Sequence, residues 1–189
     1  MAQLGDSVVA VFSDSELLQK VPFVSHIAKA FALKEAYHLH RLARNCRAFL
    51  ESAKEGDTSN LGDRLCRAIN DPNRLWEIED TMLEILIEGE KPLKAEILGR
   101  LLRALAVKDI SYEQFDVTSL LVLSGSVPAL KAVPTFFEIS DGKRFLHSRD
   151  LGRTEPLLTS LGIASRYGTK LEVSEVGLLL YRFGFLPSP

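Results

Sequence analysis

Leu157-Leu-Thr-Ser-Leu-Gly-Ile-Ala-Ser-Arg-Tyr-Gly-Thr-Lys-Leu-Glu-Val-Ser-Glu-Val-Gly-Leu-Leu-Leu-Tyr-Arg-Phe183 is the stretch that decides the fold. It reads as the end of a helix, a short strand, a glycine turn at Gly168, a second strand, and a helix capped by Ser174. A serine at the N-cap accepts a hydrogen bond from a first-turn amide, and Glu175 behind it favours the positive end of the helix. Gly177, lacking a Cβ, lets that helix lie close to the strands before it.

Upstream, Asp141-Gly142 is a turn dipeptide among aromatic and β-branched residues, which predicts a hairpin there. A helix from about Asp150 to Leu161 follows. Ser111-Tyr-Glu-Gln114 has capping-box spacing and opens a helix rich in valine and leucine that runs to Leu123 and stops at Gly125. Pro128 opens a short helix toward Phe136-Phe137.

The first half is helical almost throughout. Val8-Val-Ala-Val-Phe12 is too short to type, Ser13 to Glu16 has capping spacing, and Pro22 interrupts. A helical pattern runs from Phe23 to Lys54, and Leu39, Leu42, Cys46, Phe49 and Leu50 share one face of it. Gly56 to Asn60 is a loop, and a short helix spans Leu61 to about Ile69. Asp71-Pro72 is a start signal, with the aspartate as cap and the proline in the first turn. That helix turns Leu75, Ile78, Met82, Ile85 and Leu86 inward, with Trp76 nearby, and Glu77, Asp80, Glu84 and Glu88 outward. Gly89 ends it. After Pro92, Leu93, Ile97, Leu101, Leu102 and Leu105 form a stripe opposed by Lys94, Arg100 and Arg103. The short connection predicts an antiparallel hairpin with complementary acidic and basic rims.

The expected fold is mainly α: a helical bundle over residues 1–109, then a domain over residues 110–189 with a small β-hairpin wing. The last segment, Lys170-Leu-Glu-Val-Ser-Glu-Val-Gly-Leu-Leu-Leu, resembles the wing strand and closing helix of bacterial winged helix domains. Leu161-Gly-Ile163 is similar to their exit from the recognition helix. The whole layout also resembles uncharacterised bacterial helical proteins, a likeness that implies no activity. For a DNA-reading winged helix the resemblance implies Arg149, Arg153 and Thr154 on the recognition helix, and Arg166, Tyr167 and Lys170 on the wing. Two departures from that pattern stand out. Residues 138–150 are long and strand-like before a recognition helix, and from Asp141 to Glu175 six cations face five carboxylates. DNA binding needs several uncompensated cations.

Composition bounds the rest. The 189 residues suffice for a real core, and 46% apolar content argues against extensive disorder. A net charge of −2 argues against a chain dominated by nucleic-acid affinity. Cys46 and Cys66 form no C-x-x-C pair and are expected as buried free thiols in a reducing compartment. Without a basic leader at Met1 to Asp6 or an apolar run of about 18 residues, the expected compartment is the cytoplasm, with no integral membrane segment.

Phosphate-loop, dinucleotide and nucleophile-elbow motifs are missing from the sequence. The serines of Leu123-Ser-Gly-Ser-Val-Pro128 fit a helix-to-helix turn better than a nucleophile. His38 and His40 point nearly opposite ways on a helix, Glu35 with His38 gives two ligands at most, and His147 fits a surface position, so no metal is assigned. The apolar Leu17 to Leu33 segment fits a core helix better than an interfacial one. His40, Arg44 and Arg47 line one helix face that an anionic partner would suit. The expected protein is therefore non-enzymatic, without catalytic residues, cofactor or small-molecule ligand. It binds a protein partner or its own copies, and the alternative is a winged helix DNA-binding regulator.

Overall fold

The computed structural model describes residues 36–55, 61–69, 71–150 and 152–186. The expectations for Val8 to Phe12, the cap at Ser13 to Glu16, Pro22 and the Leu17 to Leu33 segment lie outside these residues. Within them the protein is mainly helical with one small antiparallel sheet of three strands. The helices are α1 (Ala36–Ala53), α2 (Leu61–Ala68), α3 (Pro72–Glu88), α4 (Leu93–Ala106), α5 (Tyr112–Ser124), α6 (Val127–Ile139), α7 (Thr154–Ser160) and α8 (Glu175–Leu179). The last continues as a wider π-type coil over Leu180–Phe185. The strands are β1 (Phe145–His147), β2 (Ala164–Tyr167) and β3 (Lys170–Val173).

Local capping chemistry fixes the helix starts. The Asp71 side chain accepts from the Asn73 amide at 2.9 Å, with Pro72 opening α3. At α5, Ser111 Oγ accepts from the Gln114 amide while Gln114 Oε1 accepts from the Ser111 amide, a reciprocal box. Ser126 caps α6, which begins at Val127 and runs on to Ile139, longer than Pro128 and the aromatic pair suggest.

The centre of the fold is α4. Its stripe of Ile97, Leu101, Leu102 and Leu105 is buried, and so are Ala95, Leu98, Gly99, Ala104 and Ala106 on its other faces. α3 and α4 do pack as neighbours, but the expectation that their acidic and basic rims meet is corrected. The most extensive packing of α4 is with α1, not α3. Its cations serve other elements: Lys94 Nζ donates to the Leu123 carbonyl at 2.6 Å, and Arg100 grips the Glu55 carboxylate with Nε and a terminal nitrogen. Arg103, expected on the outer face, is buried. A helix lined with alanine and glycine opposite its leucines is wrapped on all sides, which a single leucine stripe does not reveal.

The α1–α4 contact is a backbone approach. A Cβ on Gly99 would stand 2.4 Å from the Phe49 carbonyl oxygen. Beside it α1 closes the C-terminal end of α3. Asn45 Nδ2 donates to the carbonyls of Leu86 (3.1 Å) and Gly89 (2.7 Å), and Arg41 and Arg44 donate to those of Ile87 and Glu90. The final carbonyls of a helix have no intrahelical donors, so these side chains satisfy them. On the predicted faces Leu42, Cys46, Phe49, Leu50, Ile78, Met82, Ile85 and Leu86 are buried, whereas Trp76 is 57% exposed. Cys46 is buried as expected but Cys66 is exposed, which corrects the expectation of two buried thiols.

No hairpin forms at Asp141-Gly142. Both residues adopt positive φ (54° and 73°) and end α6, with the Gly142 amide donating to the Phe137 carbonyl at 2.8 Å. The dipeptide turns a helix into a strand, and that strand, β1, pairs with β3. The sheet order is β1-β3-β2, all antiparallel. The helix expected from about Asp150 starts only at Thr154, because Gly152 sits at φ +52° and interrupts the path. Gly168 turns β2 into β3 at φ +60°.

Ser174 caps α8 as anticipated, accepting from the Gly177 amide. A Cβ on Gly177 would meet Val173 Cγ1 at 2.4 Å and Ile163 Cβ at 3.2 Å, so the helix rests directly on the strands. The π-type coil returns to α4, where the Gly184 carbonyl accepts from Arg100, and to α6, where Tyr181 stacks on Phe137 with centroids 4.3 Å apart. One connected buried cluster runs from Leu42 to Leu180, across the boundary expected between residues 109 and 110.

Candidate interaction surface

The sheet has one face on the core and one in solvent. Leu171 and Val173 of β3 are buried, and Leu146 of β1 is half-buried on that side. Period-two alternation puts Phe145, His147, Ser165, Tyr167, Lys170 and Glu172 on the other side, and all six are exposed. Register sets them in two rows: Phe145–Glu172–Ser165 and His147–Lys170–Tyr167. Phe145 is 55% and Tyr167 66% exposed, large fractions for aromatic rings. Lys170 Nζ lies 5.9 Å from the Phe145 ring centroid, close enough for a weak cation–π contact.

Of the residues expected to read DNA, the structure brings Tyr167 and Lys170 together on this face. Arg166, on β2, pairs with Glu155 of α7 at 3.2 Å. Arg149 lies upstream of α7 and faces Asp150 at 3.7 Å. Arg153 occupies the position before α7, and Thr154 its first turn. Both arginines expected on the recognition helix therefore stand outside it, and Thr154-Glu-Pro-Leu-Leu-Thr-Ser160 contains no cation. Arg144, ahead of β1, pairs with Glu172 at 3.7 Å and donates from Nε to the Val173 carbonyl at 2.9 Å. The near balance of charge in the sequence thus becomes specific pairing.

The second candidate face, His40, Arg44 and Arg47 on α1, is exposed at all three positions. Arg44 is already committed to the Glu90 carbonyl at 2.7 Å, so part of that face works inside the fold. The Ser124-Gly-Ser126 turn lines an open cleft of about 690 Å³ together with Lys91, Lys94 and Lys131. Its hydroxyls are used locally, Ser124 donating to the Leu120 carbonyl and Ser126 capping α6. Burial draws the Lys94 ammonium below its ordinary range, opposed by nearby Glu90. Among the described residues no group of three His, Cys, Asp or Glu is placed to hold a metal ion, and no helix is long and apolar enough to cross a membrane.

Sequence reasoning located Tyr167, Lys170 and the surface position of His147, but it did not single out Phe145. An aromatic beside an apparent hairpin turn reads as core until the strand's partner is known. No family model, curated protein or solved structure matches the chain.

Proposed function

We propose that this is a non-enzymatic interaction protein of the cytoplasm that docks a protein partner, or a second copy of itself, through its C-terminal sheet and the neighbouring helical surface. The observation that carries this reading is the solvent face of the sheet, where Phe145 and Tyr167 stand exposed while neighbouring arginines are tied to carboxylates. Exposed aromatics with a polar surround are typical of protein-binding surfaces. We read residues 110–189 as winged-helix-like, on the order α7, β2, the Gly168 turn, β3 and α8, and residues 1–109 as the helical bundle.

The alternative is a winged helix that binds DNA, favoured by Lys170 and Tyr167 at the wing. Against it stands α7: seven residues span only about 10 Å at 1.5 Å per residue, and they carry no cation. The two readings separate by anisotropy titration with labelled duplex DNA at low salt, beside light scattering over a concentration series. The expected result is no saturable DNA binding, together with a stable complex or self-association. Salt-sensitive DNA binding that weakens in Arg166→Ala and Lys170→Ala would replace the leading reading with the alternative.

A further inference from the structure

The sheet has two edges, and they differ. α7 packs beside β2, whereas the only extensive packing of β1 among the described elements is with β3. Hydrogen bonding shows which groups of β1 remain on the open side. The Arg144 carbonyl accepts from the Val173 amide at 2.7 Å, and Leu146 stands opposite Leu171. In an antiparallel ladder the bonded residues alternate, so Arg144 and Leu146 turn their backbone groups toward β3, while Phe145 and His147 turn theirs outward. Phe145 offers an amide donor and a carbonyl acceptor there and His147 its amide, while the His147 carbonyl opens the 3-10 turn over Ser148–Asp150.

Beside this edge lies a groove of about 310 Å³ lined by Ile139, Ser140, Asp141, Lys143 and Lys170 along with the strand itself. Its apolar floor is exposed: Ile139 is 47% and Phe145 55% accessible. The charges that line it are unequal, with Lys143 and Lys170 against Asp141 alone.

We propose that the β1 edge and this groove bind an extended acidic-apolar segment of a protein partner, which adds to the sheet as a fourth strand. Backbone groups of Phe145 and His147 pair with the incoming strand. Its apolar side chains settle against Ile139 and Phe145, and its carboxylates meet Lys143 and Lys170. Strand addition draws its affinity from main-chain bonds and its selectivity from alternate side chains, and here the basic rim sets the selectivity. This rests on the reading of the chain as an interaction protein and names the partner's chemistry.

The test uses the full chain and two synthetic, fluorescein-labelled decapeptides, one alternating valine with glutamate and one alternating valine with lysine. The glutamate peptide is expected to bind and the lysine peptide to bind at least about tenfold more weakly. His147→Pro removes a single outward donor and leaves the β1–β3 ladder intact, because proline is tolerated at a sheet edge. It is expected to weaken the glutamate peptide roughly tenfold, the scale of one well-placed hydrogen bond. Lys143→Glu with Lys170→Glu is expected to abolish the preference between peptides, and circular dichroism checks that both variants fold. Equal binding of the two peptides, or binding indifferent to His147→Pro, overturns the proposal. Self-association that His147→Pro abolishes overturns it in favour of a second copy as the occupant. A stable complex or oligomer untouched by these variants, with no peptide binding, overturns this proposal alone. Absence of any complex removes the broader reading as well.

Discussion

Replacing Gly99 by alanine probes the contact on which the helical half is assembled. The new Cβ would lie 2.2 Å from Ser52 Oγ, 2.4 Å from the Phe49 carbonyl oxygen and 3.1 Å from the Ala53 amide nitrogen. The hydroxyl can rotate away, but the other two atoms belong to the backbone of α1 and cannot. Relief therefore requires α1 and α4 to part by about 1 Å, and such a gap forfeits roughly a quarter to a half of the dispersion well for each atom pair it opens. Overpacking of this kind costs about 1–3 kcal/mol, and because α1–α4 is the most extensive helix contact the upper end applies. Alanine returns about 1 kcal/mol through its better helix propensity. The expected net loss is about 2 kcal/mol. With a urea dependence of about 1–3 kcal/mol per molar, the unfolding midpoint should fall by roughly 1 M. An unchanged or raised midpoint for Gly99→Ala would mean that propensity outweighs the clash, and the close backbone approach would be refuted.

Three further outcomes follow from buried or paired groups. Asn45→Leu strips donors from two buried carbonyls at the end of α3, and a loss of about 2–4 kcal/mol is expected in denaturant unfolding, well beyond that of a surface asparagine. Iodoacetamide at pH 8 should add once to the native protein, at exposed Cys66; Cys46, its thiol pushed up to about 12 by burial, should react only after unfolding, as counted by mass spectrometry. Desolvation, and then the hydrogen bond from its hydroxyl to Glu77, raise the Tyr112 phenol above its ordinary range. An acid whose pKa rises on folding contributes stability below the unfolded value, near pH ~10, and loses it as pH climbs through the raised one. Ultraviolet titration of tyrosinate should therefore show a phase above the ordinary range, and Tyr112→Phe should delete that phase and soften the alkaline loss of stability.

What was legible in the sequence was local. The caps at Asp71, Ser111 and Ser174 each need only three or four consecutive residues, and each folds as its spacing predicts. The close seat of Gly177 and the turn at Gly168 are local in the same sense. The centrality of α4 was hidden because Ala95, Gly99 and Ala104 do not stand out as a core face. The burial of Gly99 is decided by α1, some 50 positions away in the chain, and small side chains give no periodic hydrophobic signal. Asp141-Gly142 misled for a related reason: a turn dipeptide specifies positive φ, not whether a helix or a strand precedes it. At the candidate surface the sequence told that charges balance but not that Arg166 meets Glu155 or that Arg144 meets Glu172. The exposure of Phe145 depends on pairing with a strand 25 residues downstream, beyond the reach of any local pattern.

The return of the Leu180–Phe185 coil onto α4 bears on how the molecule assembles during synthesis. Arg100 and Gly184, which it bonds, are separated by 84 positions. Helices α1 to α6 precede it in the chain, and Ile97 of α4 gains its contact with Gly184 only when the coil arrives. At about 5–20 residues per second of synthesis, an 84-position separation means that this contact closes several seconds after α4 is made.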